Sequence, residues 1–176
     1  MPQAASPKAV FLVGFMGAGK TSVGRSLGRR LGWAFEDLDD RIQARAGRAI
    51  TEIFRDLGES EFRRLENAAL HELLSERSAG PRIVALGGGA FAQPENAALL
   101  AGADASVIFL DGTAEELFRR CEQEQRGRPL LHDAKQFREL YEQRRSSYLK
   151  ASWRIDTTGK DIDGVAAEVA CTIGLK

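Results

Sequence analysis

The chain has 176 residues, enough for one domain with a substantial core. Lys+Arg and Asp+Glu are both 25, so the net charge is zero, which argues against a broad nucleic-acid or anionic-membrane surface. Apolar residues make up 43%, no stretch nears transmembrane length, and Cys121 and Cys171 lie far apart in no metal or redox spacing, so a globular cytoplasmic protein is expected.

Residues 1–8 read as a loose tail without a secretory signal pattern. The apolar run 10–13 is a first strand, continuous enough to be buried on both faces. A helix over 21–31 ends at Gly32, and 33–38 reads as a second strand closing in acids. Helices follow over 40–46, stopped by Gly47, and over 50–57, stopped by Gly58. A longer charged helix covers 59–77, with Phe62, Leu65, Ala69, Leu70, Leu73 and Leu74 as its stripe. Strand 83–86 runs into Gly87-Gly88-Gly89. Helix 94–100, strand 107–110 and helix 114–121 come next. The stretch 122–135 has weak periodicity and many charges. Helix 137–149, strand Trp153–Asp156 and helix 161–173 close the chain. This alternation predicts βαβ units and a parallel sheet covered on both faces, with the site at the carboxyl ends of the strands.

Three constellations stand just past strand ends and should converge there. Gly14-Phe15-Met16-Gly17-Ala18-Gly19-Lys20-Thr21 fits G-x-x-x-x-G-K-[ST] between a strand and a helix. Its glycines let backbone N–H groups turn inward around phosphate, and the helix points its positive end there. Lys20 would reach the outer phosphates, and Thr21 would offer its hydroxyl to Mg²⁺. Asp37 and Asp39 are two apart and share one side if the strand persists; otherwise they decorate a helix start, with Asp39 capping. The triple glycine suits a wall that must approach a substrate closely. Val107-Ile108-Phe109-Leu110-Asp111 has a Walker B shape but continues Gly112-Thr113, so Asp111 reads as a strand end or cap region. His71 reads as a helix-surface residue, His132 as exposed, and Trp33 and Trp153 as packing residues. Arg63 and Arg64, and likewise Arg119 and Arg120, taken alone read as solvated charges.

Taken together, Gly14–Thr21, Asp37-Leu38-Asp39, Gly58-Glu59-x-x-Phe62-Arg63-x-x-Glu66, Gly87-Gly88-Gly89-Ala90, Arg128-Pro129-Leu130-Leu131 and Arg144-x-x-x-Tyr148 resemble shikimate kinase in order and spacing. The resemblance implies a three-layer α/β/α P-loop kinase with a five-stranded parallel sheet in the order 2-3-1-4-5. It implies one domain over 1–176, with a core over 9–174, substrate-binding helices over 39–66 and a lid over 122–135. The implied reaction is transfer of the ATP γ-phosphoryl group to the 3-hydroxyl of shikimate, in aromatic amino acid biosynthesis. Arg63 and Arg144 resemble the arginines that grip the shikimate carboxylate, a role suited to planar guanidinium. Gly87, Gly88 and Gly89 would form the substrate wall. Asp39 resembles the carboxylate that grips the hydroxyls and is the best base; Asp37 would reach Mg²⁺ through water beside Thr21. Nucleotide binding falls to Gly17, Ala18, Gly19, Lys20, Thr21 and Ser22, where a second Thr is common at Ser22, with Arg120 near the adenine. Arg128 would ride on the lid and meet the transferring phosphoryl. A monomer with no nucleic-acid or membrane partner is expected. A kinase of gluconate or a nucleoside monophosphate would demand a different acceptor pocket, and the GE-x-x-FR and GGG pair speaks against it. A GTPase would need N-K-x-D, which Thr158-Gly159-Lys160-Asp161 does not fit.

Overall fold

The computed structural model describes residues 7–77, 80–124 and 133–175. Five strands form one sheet: β1 (Ala9–Val13), β2 (Ala34–Asp37), β3 (Arg82–Ala85), β4 (Ala105–Asp111) and β5 (Trp153–Asp156). Their order is β2-β3-β1-β4-β5, and every pairing is parallel. Among the described residues, helical spans connect and cover the strands on both faces: α1 (Lys20–Leu31), α2 (Leu38–Ala46), α3 (Ile50–Ser75), α4 (Pro94–Ala101), α5 (Ala114–Glu124), α6 (Ala134–Tyr148) and α7 (Ile162–Thr172). The three-layer expectation and the strand order both hold.

The centre of the sheet follows from burial. Val10, Phe11, Leu12 and Val13 are all enclosed, because β1 pairs with β3 on one side and β4 on the other and has helices above and below. Each such side chain contributes roughly 1.5–3 kcal/mol by leaving water. The strand that leads into the nucleotide loop is therefore held on every side.

Local signals set the helix ends. α1 stops where Gly32 takes a left-handed φ of 66° and donates to the Gly28 carbonyl. α2 begins earlier than the periodicity indicates, at Leu38, because the Asp37 side chain accepts from the Asp39 N–H and caps it. β2 therefore stops at Asp37. Asp39 lies in the first helical turn rather than on a continuing strand, and Asp37 takes the capping role. The span α3 is two helices, as read from the sequence, that meet at a kink: Gly58 between them is non-helical, with φ 81° and ψ 173°. Most of the stretch 122–135, including Arg128, Pro129, Leu130, Leu131 and His132, lies outside the described residues.

Candidate active site

β1 delivers the nucleotide loop at the middle of the sheet's carboxyl edge. Gly17 has a φ of 80°, and a Cβ there would stand 2.7 Å from the Leu117 carbonyl oxygen, so α5 packs directly against the loop. Only glycine meets both demands. Arg120, one turn along α5, donates to the Gly17 carbonyl at 3.3 Å and to Glu116 at 2.5 Å. It is thus part-buried against the loop rather than a solvated surface charge. The Lys20 ammonium arches over the loop and donates to the carbonyls of Gly14 (2.7 Å) and Phe15 (3.0 Å). Ser22 is exposed beside it.

Thr21 joins the loop to the end of β2. Its hydroxyl donates to Asp37 Oδ2 at 2.9 Å, while Asp37 Oδ1 takes the Asp39 N–H at 3.0 Å. One carboxylate therefore caps α2 and stands next to the hydroxyl at the head of α1.

The glycine segment after β3 faces this junction. A Cβ on Gly87 would lie 3.0 Å from Asp39 Oδ1. One on Gly88 would lie 3.5 Å from Arg144 Nη1 and 3.9 Å from the Gly14 carbonyl oxygen. One on Gly89 would lie 2.9 Å from Arg63 Cζ, so any side chain there displaces the guanidinium. The wall thus touches Asp39, Arg63, Arg144 and the nucleotide loop at once, and the three constellations converge.

Arg63 lies on the inner side of α3. It donates to Glu66 Oε1 at 2.9 Å, and its Nε is buried with no hydrogen-bond partner among the described residues. Arg144 projects from α6 with its guanidinium 5.8 Å from the Phe15 ring centroid. Phe15 itself packs edge-on against Phe137 and Tyr141 of the same helix.

Two residues of the quoted motifs received no role from sequence reasoning. Glu66 is 1% exposed. Burial pushes its carboxyl above the usual range; Arg63 and Arg144 pull it down and Asp39 pushes it further up. It therefore feels all three ionic groups of the acceptor pocket. The signal was available: Glu66 falls four residues after Phe62 and three before Ala69, on the apolar stripe, where a charge needs a partner. Tyr148 is the second. It is buried, stacks near Phe109 at 5.2 Å and donates its hydroxyl to the Gly88 carbonyl. It lies one turn after Arg144 on the buried side of α6.

Other expectations resolve simply. Asp111 ends β4 and is 4% exposed, taken up by Arg145 (2.9 Å) and Arg154 (2.7 Å). It is a strand end; Thr113 supplies the capping oxygen of α5 to the Glu116 N–H. His71 is exposed on α3. Trp33 packs on the core, whereas Trp153 is 47% exposed on the edge strand.

The comparisons with known proteins agree with this arrangement. A family model described as shikimate kinase matches residues 16–173. A shikimate kinase of Geobacter metallireducens is 42% identical over 93% of this chain and 90% of its own. One from Persephonella marina is 38% identical over 91% of this chain and 95% of its own. Among solved structures, a shikimate kinase from Acinetobacter baumannii in complex with shikimate superposes with a TM-score of 0.86 at 34% identity, covering 96% of this chain and 93% of that one. From the nucleotide loop to the last helix, then, the chain belongs to the shikimate kinase family.

Proposed function

We propose a division of labour for the family's reaction, the transfer of the ATP γ-phosphoryl group to the 3-hydroxyl of shikimate, giving shikimate 3-phosphate and ADP. The observation that carries it is the convergence of Asp39, Arg63, Arg144 and the glycine wall beside the nucleotide loop. Shikimate has one carboxylate and three hydroxyls. Two guanidinium groups suit the former and the Asp39 carboxylate suits the latter. Arg63 and Arg144 hold the acceptor's carboxylate, while Gly87, Gly88 and Gly89 let its ring lie flat against backbone. Asp39 holds the hydroxyls and accepts the proton that the attacking oxygen releases.

On the donor side, the N–H groups of Gly17, Ala18, Gly19 and Lys20 cradle phosphate, Thr21 and Ser22 extend that cradle, and the Lys20 ammonium neutralises charge on the outer phosphates. Arg120 flanks the adenine side of the loop. Thr21 and Asp37 fit Mg²⁺: a hydroxyl and a carboxylate oxygen 2.9 Å apart are the hard oxygen donors that this ion takes alongside phosphate and water. Bound there, Mg²⁺ would neutralise charge on the β- and γ-phosphates. Arg128, outside the described residues, completes the reading as the lid's cation; its support is the family motif Arg128-Pro129-Leu130-Leu131.

The acceptor pocket and the donor loop meet at Gly88 and Gly14, so the acceptor hydroxyl can lie close to the phosphate being transferred. We also propose one kinase domain over the whole chain, working as a cytoplasmic monomer without nucleic-acid or membrane partners. The deciding experiment measures ADP release with Mg·ATP against shikimate, quinate, gluconate and nucleoside monophosphates. Stimulation by shikimate above the others is expected. Stimulation by gluconate or a nucleotide alone would overturn the reading.

A further inference from the structure

The Tyr148 hydroxyl lies between two groups. It donates to the Gly88 carbonyl, and the Arg144 guanidinium lies on its other side, where it can donate to the phenol oxygen; Arg144 Nη1 and the Tyr148 oxygen stand 3.5 Å and 3.9 Å from where a Gly88 Cβ would be. Tyr148 is fixed from behind: its ring is 1% exposed and stacks near Phe109 on β4. A hydroxyl has one proton to give and lone pairs left to accept. With its proton committed to Gly88, the Tyr148 oxygen offers only lone pairs to the neighbouring guanidinium, and Arg144 favours the ionised form of this phenol although burial still holds its pKa at about 12. At working pH the phenol thus stays a donor.

We propose that Tyr148 is a positioning residue for the acceptor: its hydroxyl joins the Gly88 carbonyl to the Arg144 guanidinium, and so sets the middle of the glycine wall and the direction from which Arg144 meets the acceptor's carboxylate. Without the hydroxyl, the Gly88 carbonyl loses its donor and Arg144 loses the neighbour that orients it. This rests on the assignment of Arg144 to the shikimate carboxylate. Tyr148 touches neither substrate in that assignment and acts through Arg144 and Gly88.

The test is a double-mutant cycle on steady-state kinetics with Tyr148→Phe, Arg144→Ala and the double variant. Tyr148→Phe is expected to raise the shikimate KM about tenfold, the size of one neutral hydrogen bond, with the ATP KM unchanged and kcat nearly so. In the Arg144→Ala background the same change should have almost no further effect. An equal effect in both backgrounds, or a fall in kcat and melting temperature at constant KM, would overturn the positioning role. If Arg144→Ala itself leaves the shikimate KM unchanged, the underlying site assignment fails instead. A second measurement needs no Tyr148 variant. The chain has two tyrosines, so fluorotyrosine labelling yields two ¹⁹F signals, assigned by Tyr141→Phe. Saturation with shikimate should shift the Tyr148 signal and leave that of Tyr141. A stationary Tyr148 signal would overturn the proposal.

Discussion

Asp37 and Asp111 each end a strand at the same edge of one sheet, and arginines stand around Asp111 and on the glycine wall that Asp39 faces. Around Asp111 the cations belong to the chain itself. Arg145 of α6 and Arg154 of β5 both bond Oδ2, and Tyr141 completes the joint through the Gly112 carbonyl at 2.8 Å. That carboxylate is neutralised from within and ties helix to sheet. Around Asp37 and Asp39 the pattern is different. Arg63 keeps a buried Nε without a partner among the described residues, and its guanidinium, like that of Arg144, lies on a wall of glycines. Glu66 at 2.9 Å and the exposed Glu59 at 3.5 Å are internal counter-charges of Arg63, and burial works against the ionisation of Glu66. Cations against a concave backbone surface, one with a buried N–H unbonded among the described residues, suit an anion from outside; a buried carboxylate gripped by two arginines suits a joint. Arg144 and Arg145 make the contrast sharpest: they are consecutive, about 100° apart around α6, and one faces each cluster.

The widest separation of the two regions should come from their carboxylates. Lys20→Ala and Asp39→Asn are expected to cut kcat by roughly 10²–10⁴ with melting temperatures close to that of the parent protein. Asp111→Asn should do the reverse. It removes a buried counter-charge of two half-exposed arginines, a loss of roughly 1–3 kcal/mol or about 3–8 °C, while turnover persists. A folded but inactive Asp111→Asn protein beside an active Asp39→Asn one would invert the assignment. The next effect in size lies in the arginines. Arg63→Ala and Arg144→Ala should each weaken shikimate binding by roughly 2–5 kcal/mol with little change for ATP, read by calorimetric titration. Arg145→Ala, one residue away, should cost about 1 kcal/mol of stability and leave shikimate affinity nearly unchanged. Equal losses for both ligands in Arg144→Ala would make that residue structural.

The sequence already exposes much of this. The apolar runs at 10–13, 83–86 and 107–110 are the three central strands because enclosure on both faces demands unbroken apolar residues, and that is a signal without ambiguity of period. The nucleotide loop and the triple glycine are legible because each breaks a rule that costs free energy unless backbone must approach something. The relation of Asp37 to Asp39 was not. Two acids at a strand end fit a strand or a cap equally well, and only the Asp37 side chain's bond to the Asp39 N–H decides it. Arg63 alone also read as solvated, because α3 is charged on most of its circumference; its place inside depends on the wall brought up from β3, a contact distant in sequence. Tyr148 was hidden for the same reason, since its partner is 60 residues away.

The smallest effect concerns the one acid that the acceptor side keeps buried. Burial raises the Glu66 carboxyl above its ordinary value of 4.5, with Arg63 opposing and Asp39 adding to the rise. A carboxyl whose folded pKa is raised holds its proton more tightly in the folded chain than in the unfolded one. Its favourable contribution is therefore complete below about 4.5 and is lost as pH climbs through the raised folded value. Glu66→Gln has no such slope, so the melting temperature of the parent protein minus that of the variant should be largest in acid and should fall as pH rises from about 4.5. Glu76 provides the opposite sign within the same helix region: hydrogen bonds from Arg41 and Arg82 hold it down at about 2. Its contribution is present above 4.5 and disappears as pH falls toward 2, so the corresponding difference for Glu76→Gln should grow with pH. Thermal melts of the three proteins between about pH 3 and 8 separate the two slopes. Parallel slopes would mean that Arg63 outweighs burial at Glu66, and that the acceptor side, like the Asp111 cluster, is already neutralised from within.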